Sequence, residues 1–421
     1  MKKFGGLFIL LVTLLQTAAV AQQQFVYENK VYLPQIKTVM CANSNKEQSL
    51  PVILLNSGEQ IDFSFDDLDG GSKNYWYTIE HCTSDWKSSR LSPLDYLSSF
   101  ADDRITNYEY SSNTLQKFTH YSLRLPNQQI VPKLTGNYLL KVYLDGNIQN
   151  AVVSQRFYVM ENLVNAGIEI VPSSQVPLRS TNQKINFTIF HNIPIQNPYT
   201  DIKAVLMQNG ISQTAITNAK PTFVRQGAII YNDLLSNDFP GGNEFRKFDT
   251  RSIRYKGEHV QEILRDTALN VFLFADGGST TRYASLYDEN GNFFIRNQDG
   301  RDPNTDSDYA HVLFTLSAAP PAGKGDVYVA GRFNDYAINA ENKMSFDPGR
   351  KRFYTSIFLK QGVYDYKYFW KDAATGKVND IFFEGSFFET DNTYQVFVYY
   401  RKPGGRWDEL IGYSNVSNRR R

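Results

Sequence analysis

Cysteine is nearly absent from this 421-residue sequence, which holds only Cys41 and Cys82. Two cysteines make neither a disulfide framework nor a thiolate zinc site. An oxidising compartment permits one bond between them, and the sequence leaves that open. Histidine is scarce too. His81, His120, His191, His259 and His311 show no HxxxH or HxH spacing, so no histidine metal motif is present. Charge of one sign is also missing. A net charge of +1 offers no general electrostatic pull towards nucleic acid or an anionic membrane. No GxSxG, P-loop or dinucleotide-binding glycine pattern occurs. No catalytic residue, cofactor or metal is therefore expected. After Leu15 no run is long and apolar enough for a transmembrane helix, and no membrane insertion is expected.

Lys2 and Lys3 precede the apolar run Phe4 to Leu15, and Ala19-Val20-Ala21 supplies a small-x-small cleavage site. This pattern predicts a secretory signal peptide over 1–21 and a soluble exported chain. The run is too short to span a bilayer, and no cysteine follows the cleavage site to carry a lipid.

What is present in quantity is aromatic. Tyr and Phe number 27 and 29 against 5 Met, and hydrophobic residues make up 42%. That composition suits pleated, half-buried surfaces. Ile61, Phe63 and Phe65 alternate with Asp62 and Ser64, as one buried and one wet face require. A turn at Asn56-Ser57-Gly58 is expected to join Leu50 to Leu55 with that strand. Tyr75 to Cys82, Phe118 to Leu125, Tyr138 to Leu144 and Val152 to Val159 read as further strands. Ser92-Pro93 predicts a short helix, and Glu258 to Asp266 a brief one. Short strands at this spacing predict an all-β chain of three consecutive β-sandwich, immunoglobulin-like domains. The expected limits are 25–162, 165–318 and 323–402, the last an early-set module entered through Ser317 to Gly323. A tail follows over 403–421.

Three clusters invite a chemical reading. His81, Cys82 and Asp85 offer a nucleophile with a base, but neighbours on a strand point to opposite faces. Asp299 to Asp308 offers oxygen ligands without the spacing of a calcium loop. Tyr364, Tyr366, Tyr368 and Trp370 share one strand face, either as a sugar-stacking row or as a core stripe. Tyr336 stands where glycogen-binding modules usually carry Trp after Phe-Asn-x.

Beyond these generic signals, several runs resemble the plug protein family of the type IX secretion system, the export machine of Bacteroidetes-type bacteria. They are Asp62 to Leu68, Tyr75 to Cys82 with Asp85-Trp86, Tyr110 to Thr114, Thr119 to Ser122, Leu125 to Asn127 and Gly136 to Leu140. Gly242 to Arg246, Asp308 to Ala310 and Lys360 to Gly362 complete the set. Agreement across many motifs is far more specific than any one of them. The resemblance implies a non-enzymatic periplasmic protein, monomeric outside its complex, that closes an outer-membrane translocon β-barrel. Ser84 to Asn113 and Phe239 to Arg254 are the expected contact segments, unless they only pack one domain on the next. The alternative function is glycan binding, in the periplasm or at the surface, by the last domain.

Overall fold

A computed structural model describes residues 24–278 and 281–418. The signal peptide expected over 1–21 and the basic end Arg419 to Arg421 lie outside the described residues. The chain is almost entirely β, with helical pieces of three or four residues such as Pro93–Tyr96. Six sheets pack in pairs around three main apolar clusters.

The first pair shows how the sequence makes it. In Ile61–Asp67 the buried Ile61, Phe63 and Phe65 alternate with exposed Asp62 and half-buried Ser64. This strand lies between Ile36–Asn43 and Thr119–Leu125. Tyr75–Cys82 belongs to the facing sheet and sends Tyr75, Tyr77 and Ile79 inward. Phe65 stacks on Tyr121 at 5.3 Å, and Tyr75 meets Tyr121 edge-on at 4.7 Å. The turn after Leu54 forms, but it joins no hairpin. Val52–Leu54 pairs in parallel with Tyr158 to Met160 in the other sheet.

The second pair sets Val164–Pro172, Asn182–His191, Ala228–Tyr231 and Phe223–Arg225 against Ile202–Gln208, Thr393–Tyr400 and Glu409–Ser417. The third sets a sheet built on Gly362–Asp372 against one that includes Leu269–Leu273, Tyr309–Ser317 and Arg352–Lys360.

The all-β sandwich expectation holds, but the limits 165–318, 323–402 and 403–421 do not follow the sheets. Tyr309–Ser317 pairs with Arg352–Lys360 across the expected linker. Thr393–Tyr400 pairs with Ile202–Gln208. The expected tail holds the strand Glu409–Ser417, with Leu410 and Ile411 fully buried. The third sandwich is thus nested inside the second. Proline and small residues at 317–323 mark an irregular crossing, which need not be a boundary.

Glu258 to Asp266 is a strand, Val260–Arg265, in a hairpin with Leu269–Leu273. Val260 plugs the third core, and the Asp266 carboxylate accepts the Ala268 N–H to close the turn. Tertiary packing and strand pairing decide its state here.

A fourth cluster, of Val52, Tyr158, Val205, Met207, Phe397, Tyr399 and Leu410, joins the first sandwich to the second. Phe397 stacks on Tyr158 at 4.6 Å. Thr393–Tyr400 is consequently buried on both faces.

Candidate functional site

The most concentrated chemistry lies where the first sandwich meets the third. Asp66 sits on the outer face of its sheet, where water is the usual neighbour, yet it is fully buried. Lys360 Nζ donates to its Oδ2 at 2.6 Å, and Tyr309 Oη donates to the same oxygen at 2.7 Å. His120 Nδ1 lies 2.7 Å from Oδ1. An ionised carboxylate only accepts, so the proton of this bond is on Nδ1. Lys360 donates also to the Asn304 carbonyl at 2.6 Å and stands 4.1 Å over the Phe118 ring. Burial alone would push the Asp66 carboxyl up. The Lys360 ammonium and the His120 hydrogen bond outweigh it and hold the group below its ordinary range. For Lys360, burial wins over Asp66 and pulls the ammonium down.

A second clamp lies beside the first. Asp308 accepts the backbone N–H of Leu115 at 2.8 Å and of Gln116 at 3.1 Å. Gln361 Oε1 in turn accepts the Asp308 N–H at 2.7 Å. Ser112 N–H donates to the Thr305 carbonyl at 3.0 Å. Asp299 to Asp308 is therefore a brace. Asp299 caps Ser252 and Ile253, and Asp306 caps Arg301 and Asp302. No group of acids and histidines that could hold a metal occurs among the described residues.

Gly242 to Arg246 turns inward. Arg246 bonds Asp276 at 2.9 Å and Glu384 at 3.0 Å, and Asp276 accepts the hydroxyls of Tyr366 and Tyr368. A side chain at Gly241 would lie 2.0 Å from the Phe387 carbonyl oxygen, so only glycine fits. Phe239 to Arg254 is mostly covered and packs one sandwich on the next, the second of the two readings open for it. Above it Asp365 accepts the N–H groups of Glu289 and Gly291. Burial, and then the Asp288 charge, push its carboxyl up to about 7.

Ser84 to Asn113 lies mainly on the surface. Leu94, Phe100, Tyr108 and Tyr110 are exposed there, and Asn107–Tyr110 is the edge strand of its sheet. A cleft of about 960 Å³ opens between this stretch, the outer face around Ser64 and Ser122, and Phe294 to Arg296 of the third sandwich.

His81, Cys82 and Asp85 do not come together. His81 Nε2 faces the Thr135 carbonyl at 3.2 Å, and burial lowers its pKa. The Cys82 thiol points at the Glu80 carbonyl, and burial pushes it up to about 12. Asp85 is tied to Thr83 and Lys87. A thiol held protonated, away from an imidazole, is no nucleophile. Cys41 and Cys82 are both free. Tyr364, Tyr366, Tyr368 and Trp370 are core, and Tyr336 packs on Phe245, so this row presents no stacking platform.

Sequence reasoning quoted Asp66, His120, Tyr309 and Lys360 within their motifs but gave them no role. The available signal was an acid, Asp66, inside an amphipathic strand and just ahead of the turn that begins at Asp67.

Residues 36–161 match the family described as the type 9 secretion system plug protein 1st domain. A crystal structure of a hypothetical protein from Parabacteroides merdae is 32% identical, with a TM-score of 0.90. The match covers 94% of this chain and all of that one. An E. coli alpha-2-macroglobulin structure matches at 7% identity and a TM-score of 0.17, over 92% of this chain and 22% of that one, and carries no argument. No curated protein sequence matches.

Proposed function

Because the chain belongs to the type 9 secretion system plug family, we propose that it is a non-catalytic periplasmic component that binds the outer-membrane translocon barrel and closes its periplasmic opening. The observation that carries this is the convergence of widely separated motifs on buried junctions. Asp66 and Lys360 lie 294 positions apart and form one enclosed ion pair. Such junctions turn three sandwiches into a single stiff body, and a wide aqueous pore needs a stiff body to close it.

The contact surface is the exposed Ser84 to Asn113 stretch. It mixes exposed rings with Asp, Arg, Glu and Ser, as fits a reversible seal whose protein must survive in water when released. Outside the complex the protein is a monomer. Glycan binding by the last module has lost its support, since its aromatic row is core.

The test is a gene deletion. It should make the outer membrane permeable to large antibiotics that it normally excludes, and only while the barrel is present. The tagged protein should co-purify the barrel, and Phe100→Ser with Tyr110→Ser should weaken that association. Unchanged permeability together with no co-purifying barrel would end the proposal.

A further inference from the structure

We propose that one side of the second sandwich binds a membrane surface, taking the headgroup layer of a bilayer that contains anionic phospholipid. Phe223–Arg225 is the edge strand of its sheet. Register puts Phe190, Ala228 and Arg225 in one row across three strands, and Thr188, Ile230 and Phe223 in the next. Side chains two apart on a strand share a face, so both rows lie on the outer face. There Phe190 and Phe223 are 50% and 61% exposed.

The turn beyond this sheet carries Leu234 and Leu235, 67% and 73% exposed. Asn232 N–H donates to Thr222 Oγ1 at 3.2 Å, which ties the turn to the start of the edge strand. The turn is braced. Asp233 Oδ1 accepts the N–H of Leu235 at 3.0 Å and of Ser236 at 2.9 Å. Lys184, on the same outer face as Thr188 and Phe190, sends its ammonium to the carbonyls of Asp233 and Ser236. A buried ammonium is thus used to hold two adjacent leucines out in water. Large apolar side chains presented together in this way mark an interaction site.

The charges beside them select the partner. Lys220 and Arg225 are exposed and have no ion-pair partner among the described residues. Of the acids, Asp233 is occupied by its own turn, Asp238 lies beside Lys184 and accepts the Ser173 hydroxyl, and Glu169 is on the opposite edge strand of the sheet. Leucines at a projecting turn and phenylalanines on the adjoining sheet face, with Lys220 and Arg225 at the same edge, match the boundary between acyl chains and phosphates. No helix among the described residues is long and apolar enough to cross the bilayer, and only side chains enter it. The inference rests on the proposed place beside the outer membrane for its setting alone.

The experiment is co-sedimentation of the mature chain with phosphatidylethanolamine vesicles carrying about a quarter phosphatidylglycerol. Binding is expected, weaker at high salt. The double change Leu234→Ser, Leu235→Ser should reduce partitioning at least tenfold, as loss of two buried leucines implies (~10-fold or more). Lys220→Gln with Arg225→Gln should weaken binding to the anionic vesicles. Leu264→Ser, at an exposed leucine of the third sandwich, should leave it unchanged. Wild-type protein that stays in the supernatant, or a double leucine variant that binds as well as wild type, overturns the proposal. If vesicles are not bound but the leucine variant loses the barrel, the patch is a protein contact and the lipid assignment is wrong. The assay contains no barrel, so its failure leaves the proposed seal standing.

Discussion

Lys360 and Asp365 lie five residues apart and illustrate opposite fates of a buried charge. Lys360 has an acid to meet, and Asp66 has three donors. Lys360→Met keeps the volume but leaves Asp66 short of its cation, which should cost about 3–5 kcal/mol of unfolding free energy. Adding Asp66→Asn should recover part of that loss, because the orphaned charge is gone. Urea unfolding of the single and double variants checks both. The Asp66 carboxyl is held low, so its stabilisation is present above the ordinary carboxylate range and disappears only as pH falls through the depressed value. Asp365 behaves the other way. Its carboxyl is raised to about 7, so the folded state prefers it protonated. Stability should therefore fall as pH rises from about 4, the usual unfolded value, towards 7, by on the order of a few kcal/mol. Asp365→Asn keeps an oxygen for the Glu289 and Gly291 N–H groups and should remove that fall. Denaturant midpoints from pH 4 to 8 for the two proteins measure the difference.

Single strands were legible to the degree that one face differed from the other. Tyr75–Cys82 has its sequence-read limits because Tyr75, Tyr77 and Ile79 alternate with Trp76, Thr78 and Glu80 between turn-forming stretches. Thr393–Tyr400 is rich in tyrosine and valine, as a strand should be, yet it is buried on both faces. Period two says which residues share a face and says nothing of what covers it. Asp66 fails for the same reason. It occupies a wet-face position of Ile61–Asp67, and what dries it is a lysine far along the chain. Glu258 to Asp266 carries charges three and four apart, which suit a helix surface and an exposed edge strand equally well, and pairing with Leu269–Leu273 makes it a strand. The tyrosine row of Gly362–Asp372 was recognised as a row, but only the opposing sheet decides that it is core.

At the scale of the molecule, the sandwiches were foreseeable from many short strands, and their nesting was not. The chain leaves the second sandwich at Pro240 and returns to it at Thr393. A chain ending at Asn392 lacks Thr393–Tyr400 and Glu409–Ser417, two strands of the sheet that faces Ile185, Phe187 and Ile189, and leaves Ile202–Gln208 without its partner. Limited proteolysis of that truncation should cut first between Val164 and Pro240, far upstream of the deletion, and leave the first sandwich standing longest. Cuts confined to the new C-terminus would contradict this. The two ends of the excursion are bonded to one another. Asn392 Nδ2 donates to the Gly241 carbonyl at 2.8 Å, and Thr390 Oγ1 donates to the Gly242 carbonyl at 2.8 Å. Until the excursion has folded, joining the halves of the second sandwich means closing a flexible loop of about 150 residues, an entropic cost on the order of 4 kcal/mol. Once it has folded, its ends already meet and the closure is local. The order of folding should follow: the inserted body sets first, and the sandwich that surrounds its two ends is completed only when the last strands arrive.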